Sequence, residues 1–348
     1  MRDKDELIGE IKETSEGCKV EILPAVADWC STGCTVFDFA ISNRYPGGGL
    51  PIGRIVQAYG GTSTCKSVLA AAVLGYAQRK GMKTYLGDTE HTLDPVFAEL
   101  YGLDCSKLNG IGYPETIEEF FDDWLHSIIV KGKGKSQKID KDQKVVAVDS
   151  LTALPAKIEQ EKSMSDQGYG AYRAKQIGLG FRKYIKLLAE SNTTLLIIDQ
   201  TRDNFGSAFG GETVPGGRAP EFYPSVRVYL KHDSRIDNSK GSTIGVWIRF
   251  RIDKNKVAPP FREGRFKILF DYGLDDIASS LYLMSLDQNG KDAAKNKNTK
   301  IKLFGDEKTA RGWISHIEKN NLEEDLKKEA WKLWQEIHKT ETRKLRVW

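Results

Sequence analysis

The chain has 348 residues, of which 40% are hydrophobic and 29% are charged, which is enough for one large core and a smaller satellite unit. The net charge of +4 is too small to indicate nucleic-acid binding by itself, and the five cysteines lack CxxC spacing. A disulfide framework and a zinc site are therefore excluded, and we expect reduced thiols in a cytoplasmic protein without a secretory signal or a membrane span.

The N-terminal residues predict a small arm. Residues 3–12 have the single apolar stripe of a short helix, and residues 18–23 alternate as a strand does. The stripe is too small to form a core of its own. We expect residues 1–29 to pack on a neighbouring subunit or, with similar weight, on their own domain.

A glycine-containing loop lies between a predicted strand, residues 54–59, and a predicted helix, residues 68–74. It matches the phosphate-binding pattern GxxxxGK[ST] except at Cys65, which stands where the second glycine belongs. Backbone N–H groups at such a helix start point towards an anion. The alternative is a turn that only precedes a buried helix. The predicted nucleotide-binding loop consists of Gly60, Gly61, Thr62, Ser63, Thr64, Cys65, Lys66 and Ser67.

Two side chains of this loop have a predicted chemical role, and a third is unusual. Lys66 supplies a cation to the β- and γ-phosphates, and the hydroxyl of Ser67 is a ligand for Mg²⁺. A non-glycine residue at Cys65 strains the loop by about 1–3 kcal/mol if the backbone is left-handed there. A thiol at a helix start beside a lysine is also expected to have a lowered pKa and to react readily.

Two acidic residues follow predicted buried strands. Asp149 ends the apolar residues 145–148, so it lies at the carboxyl edge of a parallel sheet, where it can hold Mg²⁺ through water. Glu90 follows the strand over residues 84–88 and can orient and deprotonate an attacking water. The alternatives are an Asp-Ser strand cap for Asp149 and a helix-start carboxylate for Glu90.

Several segments, in order, resemble the RecA-type DNA recombinases. The match covers roughly residues 30–275 and includes the family's DAEHALDP, Walker B, INQIR and KNKxxxPF segments, which correspond to residues 83–95, 145–150, 195–202 and 253–261. At Cys65 the loop is similar to that of the phage-type UvsX recombinases, in which a bulky residue can take this position. The resemblance implies an α/β fold with a RecA-like P-loop ATPase core, which is a mostly parallel twisted sheet with helices on both faces.

The resemblance also implies roles at the nucleotide. Glu90 is then the catalytic base, and the cofactors are ATP and Mg²⁺. Asp94 and Phe97 hold the adenine by a hydrogen bond and by stacking. Phe270 takes the place of a second aromatic residue at the nucleotide, and Gln200, at a strand end, senses the γ-phosphate and orders the loop that follows.

Two polar loops, residues 159–170 and 202–218, begin at the carboxyl ends of predicted core strands. Glycines around aromatic side chains and arginines suit single-stranded nucleic acid, although each loop could instead be a disordered lid. By resemblance they are the two DNA-binding loops. The predicted DNA contacts are Tyr169, Tyr172, Arg173, Arg202, Phe205, Phe209 and Arg218.

The segment 221–227 is similar to the family's polymerisation segment, in which an aromatic residue such as Phe222 enters the neighbouring subunit. Lys254 and Lys256 lie on one face of a predicted strand because side chains alternate. By resemblance they reach an ATP bound by the next subunit. Without the resemblance, a basic edge strand that resists aggregation is the favoured interpretation.

Two segments carry the remaining positive charge. Residues 131–144 form a lysine-rich loop, longer than the family usually has, for which solvation is favoured over phosphate binding. Residues 290–348 contain 15 Lys and Arg against 10 Asp and Glu. We therefore expect three parts: the arm (1–29), the ATPase core with both loops (30–274) and a small basic α+β C-terminal domain (275–348).

The sequence predicts an ATP-dependent homologous recombination protein. It forms helical homo-oligomeric filaments on single-stranded DNA, pairs that DNA with a homologous duplex, and hydrolyses ATP in a DNA-dependent way, in the cytoplasm of a cell or of a phage host. One alternative is a RecA-fold ATPase that acts on protein partners as a regulator or loader. Another, motivated by Cys65, is a nucleotide-binding filament that has lost its chemistry.

Overall fold

The computed structural model describes residues 26–132, 134–160, 169–203, 212–289 and 299–339. The predicted helix and strand of the N-terminal arm, the two loop aromatics Phe205 and Phe209, and the last residues of the chain lie outside this part. The strands are β1 (Trp29–Cys30), β2 (Leu50–Pro51), β3 (Ile55–Gly60), β4 (Lys83–Asp88), β5 (Gly110–Gly112), β6 (Val130–Lys131), β7 (Lys138–Ile139), β8 (Lys144–Asp149), β9 (Thr193–Gln200), β10 (Arg202–Asp203), β11 (Glu212–Thr213), β12 (Val226–Asp237), β13 (Thr243–Asn255), β14 (Glu263–Leu269), β15 (Gly273–Asp275), β16 (Lys300–Leu303) and β17 (Asp306–Thr309). The α-helices are α1 (Thr35–Ser42), α2 (Lys66–Arg79), α3 (Pro95–Leu100), α4 (His126–Ile129), α5 (Lys157–Gln160), α6 (Gly170–Glu190), α7 (Ala219–Phe222), α8 (Asp276–Asn289), α9 (Ala310–Asn320) and α10 (Glu323–Ile337).

A nine-stranded sheet in the order β15-β14-β13-β12-β3-β9-β8-β4-β5 forms the centre of the molecule. The strands from β12 to β5 run parallel, and β13, β14 and β15 extend the sheet antiparallel. In parallel strands the carboxyl ends meet at one edge, where α/β proteins bind ligands. The ends of β3, β4, β8 and β9 therefore bring their following loops together, and the predicted α/β fold is confirmed.

Alternation along the central strands divides the core between the two faces of the sheet. In β8, Val145 and Ala147 face one hydrophobic cluster, whereas Val146 and Val148 face the other. The first cluster is covered by α1 and α2, and the second by α6 and the helical turns before β6. Because its side chains alternate between two buried faces, the four central residues of this strand are all apolar.

Two segments differ from the secondary structure that the sequence predicted. The apolar spacing of residues 113–130 predicts one helix, but residues 113–116 are not helical, and a π-helix over Glu119–Leu125 precedes α4. Pro114 explains the late start, because it disfavours helical backbone in the residue before it. The lysine-rich loop instead contains a short hairpin, in which β6 pairs antiparallel with β7.

The described C-terminal residues share the larger hydrophobic cluster with the elements around the central sheet. Leu281 of α8, Trp313 of α9 and Trp334 of α10 are buried in the same cluster as Phe37 of α1 and Phe266 of β14. The small β16–β17 hairpin and these helices have the α+β composition that we expect for residues 275–348, and the domain boundaries remain a prediction. Within the described residues, no helix has the length and apolar character needed to cross a membrane.

Candidate functional site

The phosphate-binding loop connects the end of β3 to the start of α2. Gly60 has to be glycine, because a Cβ there would lie 2.1 Å from the carbonyl oxygen of Leu230 on β12. Lys66 Nζ donates to the carbonyl oxygens of Gly60 at 3.1 Å and Gly61 at 2.6 Å and to Thr64 Oγ1 at 3.2 Å. Burial lowers the pKa of Lys66, while Asp149 and Glu90 oppose that change. The ammonium group therefore lies inside the loop, which is the position a phosphate-binding lysine needs.

Cys65 has the left-handed backbone that a glycine would adopt easily. Its φ of 59° and ψ of 31° lie in the region that a Cβ disfavours. The prediction of a lowered thiol pKa was wrong. Burial raises the pKa of Cys65 to about 11, and the neighbouring charge of Lys66 only partly opposes that shift. Desolvation of the thiolate therefore outweighs the cation and the helix start.

Ser67 and Asp149 form an oxygen-rich pair at the start of α2. Ser67 Oγ donates to Asp149 Oδ2 at 2.5 Å. Burial raises the pKa of Asp149, the hydrogen bond from Ser67 lowers it, and the charge of Glu90 raises it. A hydroxyl and a carboxylate at the edge of a buried strand suit Mg²⁺, which prefers oxygen ligands and keeps several of its waters. The residues present therefore fit the predicted metal.

Glu90 lies next to Ser67 and Asp149, because the side chain of Thr89 joins the loop after β4 to the end of β8. Thr89 Oγ1 accepts from Ser150 N at 2.8 Å and donates to the carbonyl oxygen of Ser150 at 2.9 Å. Ser150 Oγ donates to Glu90 Oε1 at 3.2 Å. The exposed carboxylate of Glu90 is thus held beside Asp149. The sequence analysis did not identify Thr89, although its place directly before Glu90 was a usable signal.

A cavity of about 610 Å³ opens beside the loop, and both predicted nucleotide aromatics, Phe97 and Phe270, line it together with Ser63 to Ser67. They are 49% and 39% exposed, so each has a free ring face for a base. His232 and Arg235 of β12 also line the cavity. Sequence reasoning missed these two, because only the fold brings the far end of β12 over the loop.

Asp94 caps the helix that carries Phe97. Its Oδ1 accepts from Val96 N at 2.9 Å and from Phe97 N at 3.2 Å, which is the usual hydrogen bonding of an aspartate before the first helical residue. The side chain therefore fixes the direction of α3 and of Phe97. Its predicted hydrogen bond to adenine remains a prediction.

Comparison with known proteins identifies the family. A family model described as the RecA N-terminal domain matches residues 18–275. The chain belongs to the RecA family. It is 36% identical over 261 residues to Protein RecA of Thermus thermophilus, covering 75% of this chain and 70% of that protein. It is 37% identical over 254 residues to Protein RecA of Colwellia psychrerythraea, with 73% and 69% covered. It is 36% identical over 248 residues to Protein RecA of Clostridium acetobutylicum, with 71% and 66% covered.

In this RecA-family chain the two predicted DNA loops meet on one helix. The first loop ends at Tyr169, the residue before α6, and the second loop returns over the same helix. A Cβ on Gly217, whose φ is 71°, would lie 2.8 Å from Cβ of Ala174 on α6, and one on Gly216 would lie 2.9 Å from Ile177. Gln200 is exposed at the end of β9 and pairs in register with Gly60. The predicted γ-phosphate sensor therefore lies between the nucleotide loop and the second DNA loop.

The structure places the predicted DNA contacts in different environments. Arg173 forms a forked ion pair with Glu159 at 3.1 and 2.5 Å, and Tyr172 packs partly buried against the second cluster. These two side chains are therefore engaged within the subunit. Arg202 and Arg218 are exposed at the two ends of the second loop. Phe205 and Phe209 lie outside the described residues, so their roles stay predictions.

Phe222 and the two predicted trans-acting lysines form one exposed cluster. The ring of Phe222 is 69% exposed, and the amines of Lys254 and Lys256 lie 5.7 and 5.9 Å from its centroid. Lys254 Nζ donates to the carbonyl oxygens of Glu221 at 2.9 Å and Phe222 at 2.5 Å. Burial, followed by the charges of Lys256 and Arg227, lowers the pKa of Lys254 to about 8. Both lysines thus contact α7 of their own subunit.

Proposed function

We propose that this RecA-family protein is a DNA-dependent ATPase that forms helical filaments on single-stranded DNA and exchanges strands with a homologous duplex. The observation that carries the proposal is that Lys66, Ser67, Asp149 and Glu90 converge at the same sheet edge from which both predicted DNA loops begin. A nucleotide bound there is next to the DNA-contacting segments, so each can influence the other.

Each residue around the loop has a separate role in ATP hydrolysis. Lys66 exchanges its bonds to loop oxygens for bonds to phosphate oxygens, and the α2 start contributes backbone N–H groups. Ser67 and, through water, Asp149 hold Mg²⁺, which when bound neutralises phosphate charge. Glu90, fixed by Ser150, orients the attacking water and accepts its proton. Phe97 and Phe270 stack on the base from the cavity wall.

The second loop couples the nucleotide to DNA. Gln200 contacts the γ-phosphate side of the site, and the loop that follows it begins with the exposed Arg202 and ends with the exposed Arg218. Arginines bind the backbone phosphates, while aromatic and apolar side chains of the loops stack on the bases. Hydrolysis removes the contact to Gln200 and thereby weakens the hold on DNA.

Filament growth uses the Phe222 cluster. An aromatic ring that is mostly exposed in the single subunit is suited to enter an apolar pocket of the next one. Docking of Phe222 moves α7, so Lys254 exchanges its carbonyl partners for the phosphates of the neighbouring ATP. ATP between subunits then stabilises the filament, and its hydrolysis releases the interface.

The test is ATP hydrolysis with and without single-stranded DNA, with Lys66→Ala as the control. We expect turnover that DNA stimulates and that Lys66→Ala abolishes. Strand exchange is then measured with a homologous duplex and with a heterologous duplex as the matched control, and only the homologous duplex is expected to exchange.

Every result other than the expected one indicates a different function. Turnover that is independent of DNA favours an ATPase that acts on protein partners and contradicts the proposal. ATP-dependent DNA binding without turnover indicates a filament whose chemistry has been lost at Cys65. Exchange with both duplexes, or with neither, contradicts homologous pairing. The phage-type relationship suggested by Cys65 remains a prediction.

A further inference from the structure

A buried carboxylate that the proposed mechanism does not use lies directly before Gln200. Asp199 of β9 is 0% exposed, and it stands where the INQIR motif that this strand end resembles has asparagine. Its position between Gln200 and the apolar residues of β9 places a charge in the centre of the sheet. Such a group is costly to bury unless it is fully hydrogen-bonded. The hydrogen-bond partners of Asp199 therefore indicate its role.

Asp199 joins β9 to the segment that leads from Asp149 into the first DNA loop. Asp199 Oδ1 accepts from Thr152 N at 3.1 Å and from Thr152 Oγ1 at 2.7 Å. Thr152 follows β8 and lies shortly after the predicted metal residue Asp149. The carboxylate therefore connects β9, which ends at the predicted γ-phosphate sensor Gln200, to the end of β8, which carries the predicted metal residue Asp149.

The second carboxylate oxygen extends the connection towards the subunit surface. Asp199 Oδ2 accepts from Gln57 Nε2 at 2.7 Å, and Gln57 Oε1 accepts from Arg227 Nε at 2.8 Å. The guanidinium of Arg227 lies 4.5 Å from the ring centroid of Tyr59, and Arg227 pairs in register with Lys254. A continuous series of hydrogen bonds thus runs from Thr152 to the strand pair that carries Lys254.

The direction of every bond in this series is fixed by its two ends. The guanidinium of Arg227 and the backbone N–H of Thr152 can only donate. Gln57 must therefore turn its carbonyl oxygen towards Arg227 and its NH₂ group towards Asp199. Three donor groups then converge on Asp199, and a carboxylate supplies an acceptor oxygen on each side. Asparagine has one acceptor oxygen, so it would place an NH₂ group against a donor where no water can intervene.

We propose that Asp199 and Gln57 are positioning residues that align Gln200 with the strand pair β12–β13, which carries Arg227 and Lys254. ATP hydrolysis then depends on the part of the sheet that faces the neighbouring subunit. This inference rests on the proposed function, because Gln200 and Lys254 act there on the γ-phosphate. The alignment is polar and directional: changing both central side chains together reverses the bond between positions 57 and 199 and preserves the series, whereas changing one of them breaks it.

The experiment compares the wild type with Asp199→Asn, Gln57→Glu and the double variant. Asp199→Asn places donor against donor, and Gln57→Glu places carboxylate against carboxylate. In the double variant Arg227 donates to Glu at position 57, Asn at position 199 donates to that carboxylate, and its oxygen accepts from Thr152. The series is then restored with the same buried charge. Gln137→Glu combined with Asp123→Asn makes the same charge changes at exposed positions and is the matched control.

We measure kcat and KM for ATP with single-stranded DNA, together with Tm to correct each rate for the folded fraction. Each single variant is expected to lower kcat about tenfold or more, because a mispaired buried group disturbs the hydrogen bonds that align Gln200. The KM for ATP is expected to stay within about threefold. The double variant is expected to recover kcat to within about threefold of the wild type, and the surface control to match the wild type.

Several outcomes would overturn the inference. Asp199→Asn with an unchanged kcat per folded molecule, with or without a lowered Tm, shows a structural role only. A double variant as slow as the product of the single effects shows that bond direction is not the cause. Wild-type protein without DNA-stimulated turnover contradicts the proposed function itself, whereas normal wild-type turnover that the single variants leave intact contradicts only this inference.

Discussion

Desolvation decides the direction of the pKa shift at the adjacent residues Cys65 and Lys66. At Cys65 a cation and a helix start both favour the thiolate, yet burial outweighs them and raises the pKa of the thiol to about 11. At Lys66 burial also outweighs the nearby charges, since it lowers the pKa although the carboxylates of Asp149 and Glu90 act to raise it. A sequence shows which charges are adjacent along the chain, but the energetic cost of removing a group from water depends on the fold.

The first residue-scale prediction concerns labelling of Cys65. At neutral pH a thiol-reactive probe is expected to modify it about a hundredfold more slowly than an ordinary cysteine, because a pKa two units higher lowers the thiolate fraction by that factor. The measurement is the rate of modification at Cys65 by peptide mass spectrometry. Cys65→Ser identifies the peptide, and labelling as fast as that of an unfolded control peptide contradicts the prediction.

The second residue-scale prediction concerns Asp38, whose carboxylate accepts from Thr32 N and Oγ1 at 2.8 and 2.7 Å. Burial raises the pKa of Asp38 to about 7, although the hydrogen bonds from Ser31 and Thr32 lower it. Between the unfolded value of 3.8 and this folded value the native state binds the extra proton. Its contribution to stability is therefore fully present below pH 3.8 and is lost as the pH rises through 7.

Urea unfolding at several pH values tests this sign. The free energy of unfolding of the wild type relative to Asp38→Asn is expected to fall as the pH rises from about 4 to 7, by at most about 1.4 kcal/mol per pH unit, and to level off above about pH 8. Asp123→Asn, at an exposed position, controls for general charge effects. A difference that grows with pH over the same interval would contradict the raised pKa.

At the scale of elements, two lysines, one of them fully buried, hold the lysine-rich hairpin to the sheet. Lys144 at the start of β8 is fully buried, and its Nζ donates to the carbonyl oxygens of Asp140 and Asp142 at 2.8 and 2.7 Å and lies 3.3 Å from Asp140 Oδ1. Lys83 of β4 bonds the other carboxylate oxygen of Asp140 at 3.1 Å. Two neighbouring strands thus share one aspartate, which fixes where the β6–β7 hairpin rejoins the sheet.

The element-scale prediction is the cost of removing Lys144. Lys144→Met keeps the length of the side chain but leaves the carbonyl oxygens of Asp140 and Asp142 without their lysine donor and removes one of the two cations beside Asp140. We expect the free energy of unfolding to fall by about 3 kcal/mol. Lys141→Met in the same loop is exposed, and we expect it to change stability by less than about 0.5 kcal/mol. Equal urea midpoints for the two variants would show that the buried contacts contribute nothing.

At the scale of the whole molecule, one continuous sheet joins Lys254 of the exposed Phe222 cluster to the sheet edge with the predicted nucleotide loop. The strand pair β12–β13 leads to Lys254, and β3, β9 and β8 carry the loop, Gln200 and Asp149. We therefore expect a displacement at the subunit surface to reach the predicted nucleotide loop through paired strands and the buried side chains between them. Rigid packing of this kind transmits small shifts between sites.

The whole-molecule prediction separates assembly from folding. Phe222→Ala removes a ring that is 69% exposed, so we expect the Tm of the free subunit to change by less than about 2 °C. Sedimentation with ATP and single-stranded DNA is expected to lose the filament fraction. Ile337→Ala, also at an exposed apolar position, is the matched control and should sediment as the wild type does. Filaments of normal length from Phe222→Ala would disprove the interface role.

The sequence by itself determined the parts that depend on local pattern. Short ordered motifs were enough for the family resemblance that implied an α/β fold, and GGTSTCKS after an apolar run was enough to predict a loop between a strand and a helix, because each signal lies within a few consecutive residues. The residues around Glu90 and Asp149 were found because each directly follows a buried strand.

The tertiary structure decided what depends on contacts between distant segments. Burial reversed the expected pKa of Cys65, and the engagement of Arg173 by Glu159 and of Lys254 by α7 could not be read from spacing. The series Thr152–Asp199–Gln57–Arg227 joins four strands or their ends, and His232 and Arg235 reach the nucleotide cavity only through the length of β12. Local sequence fixes backbone geometry, whereas desolvation and hydrogen-bond direction exist only after the strands have been brought together.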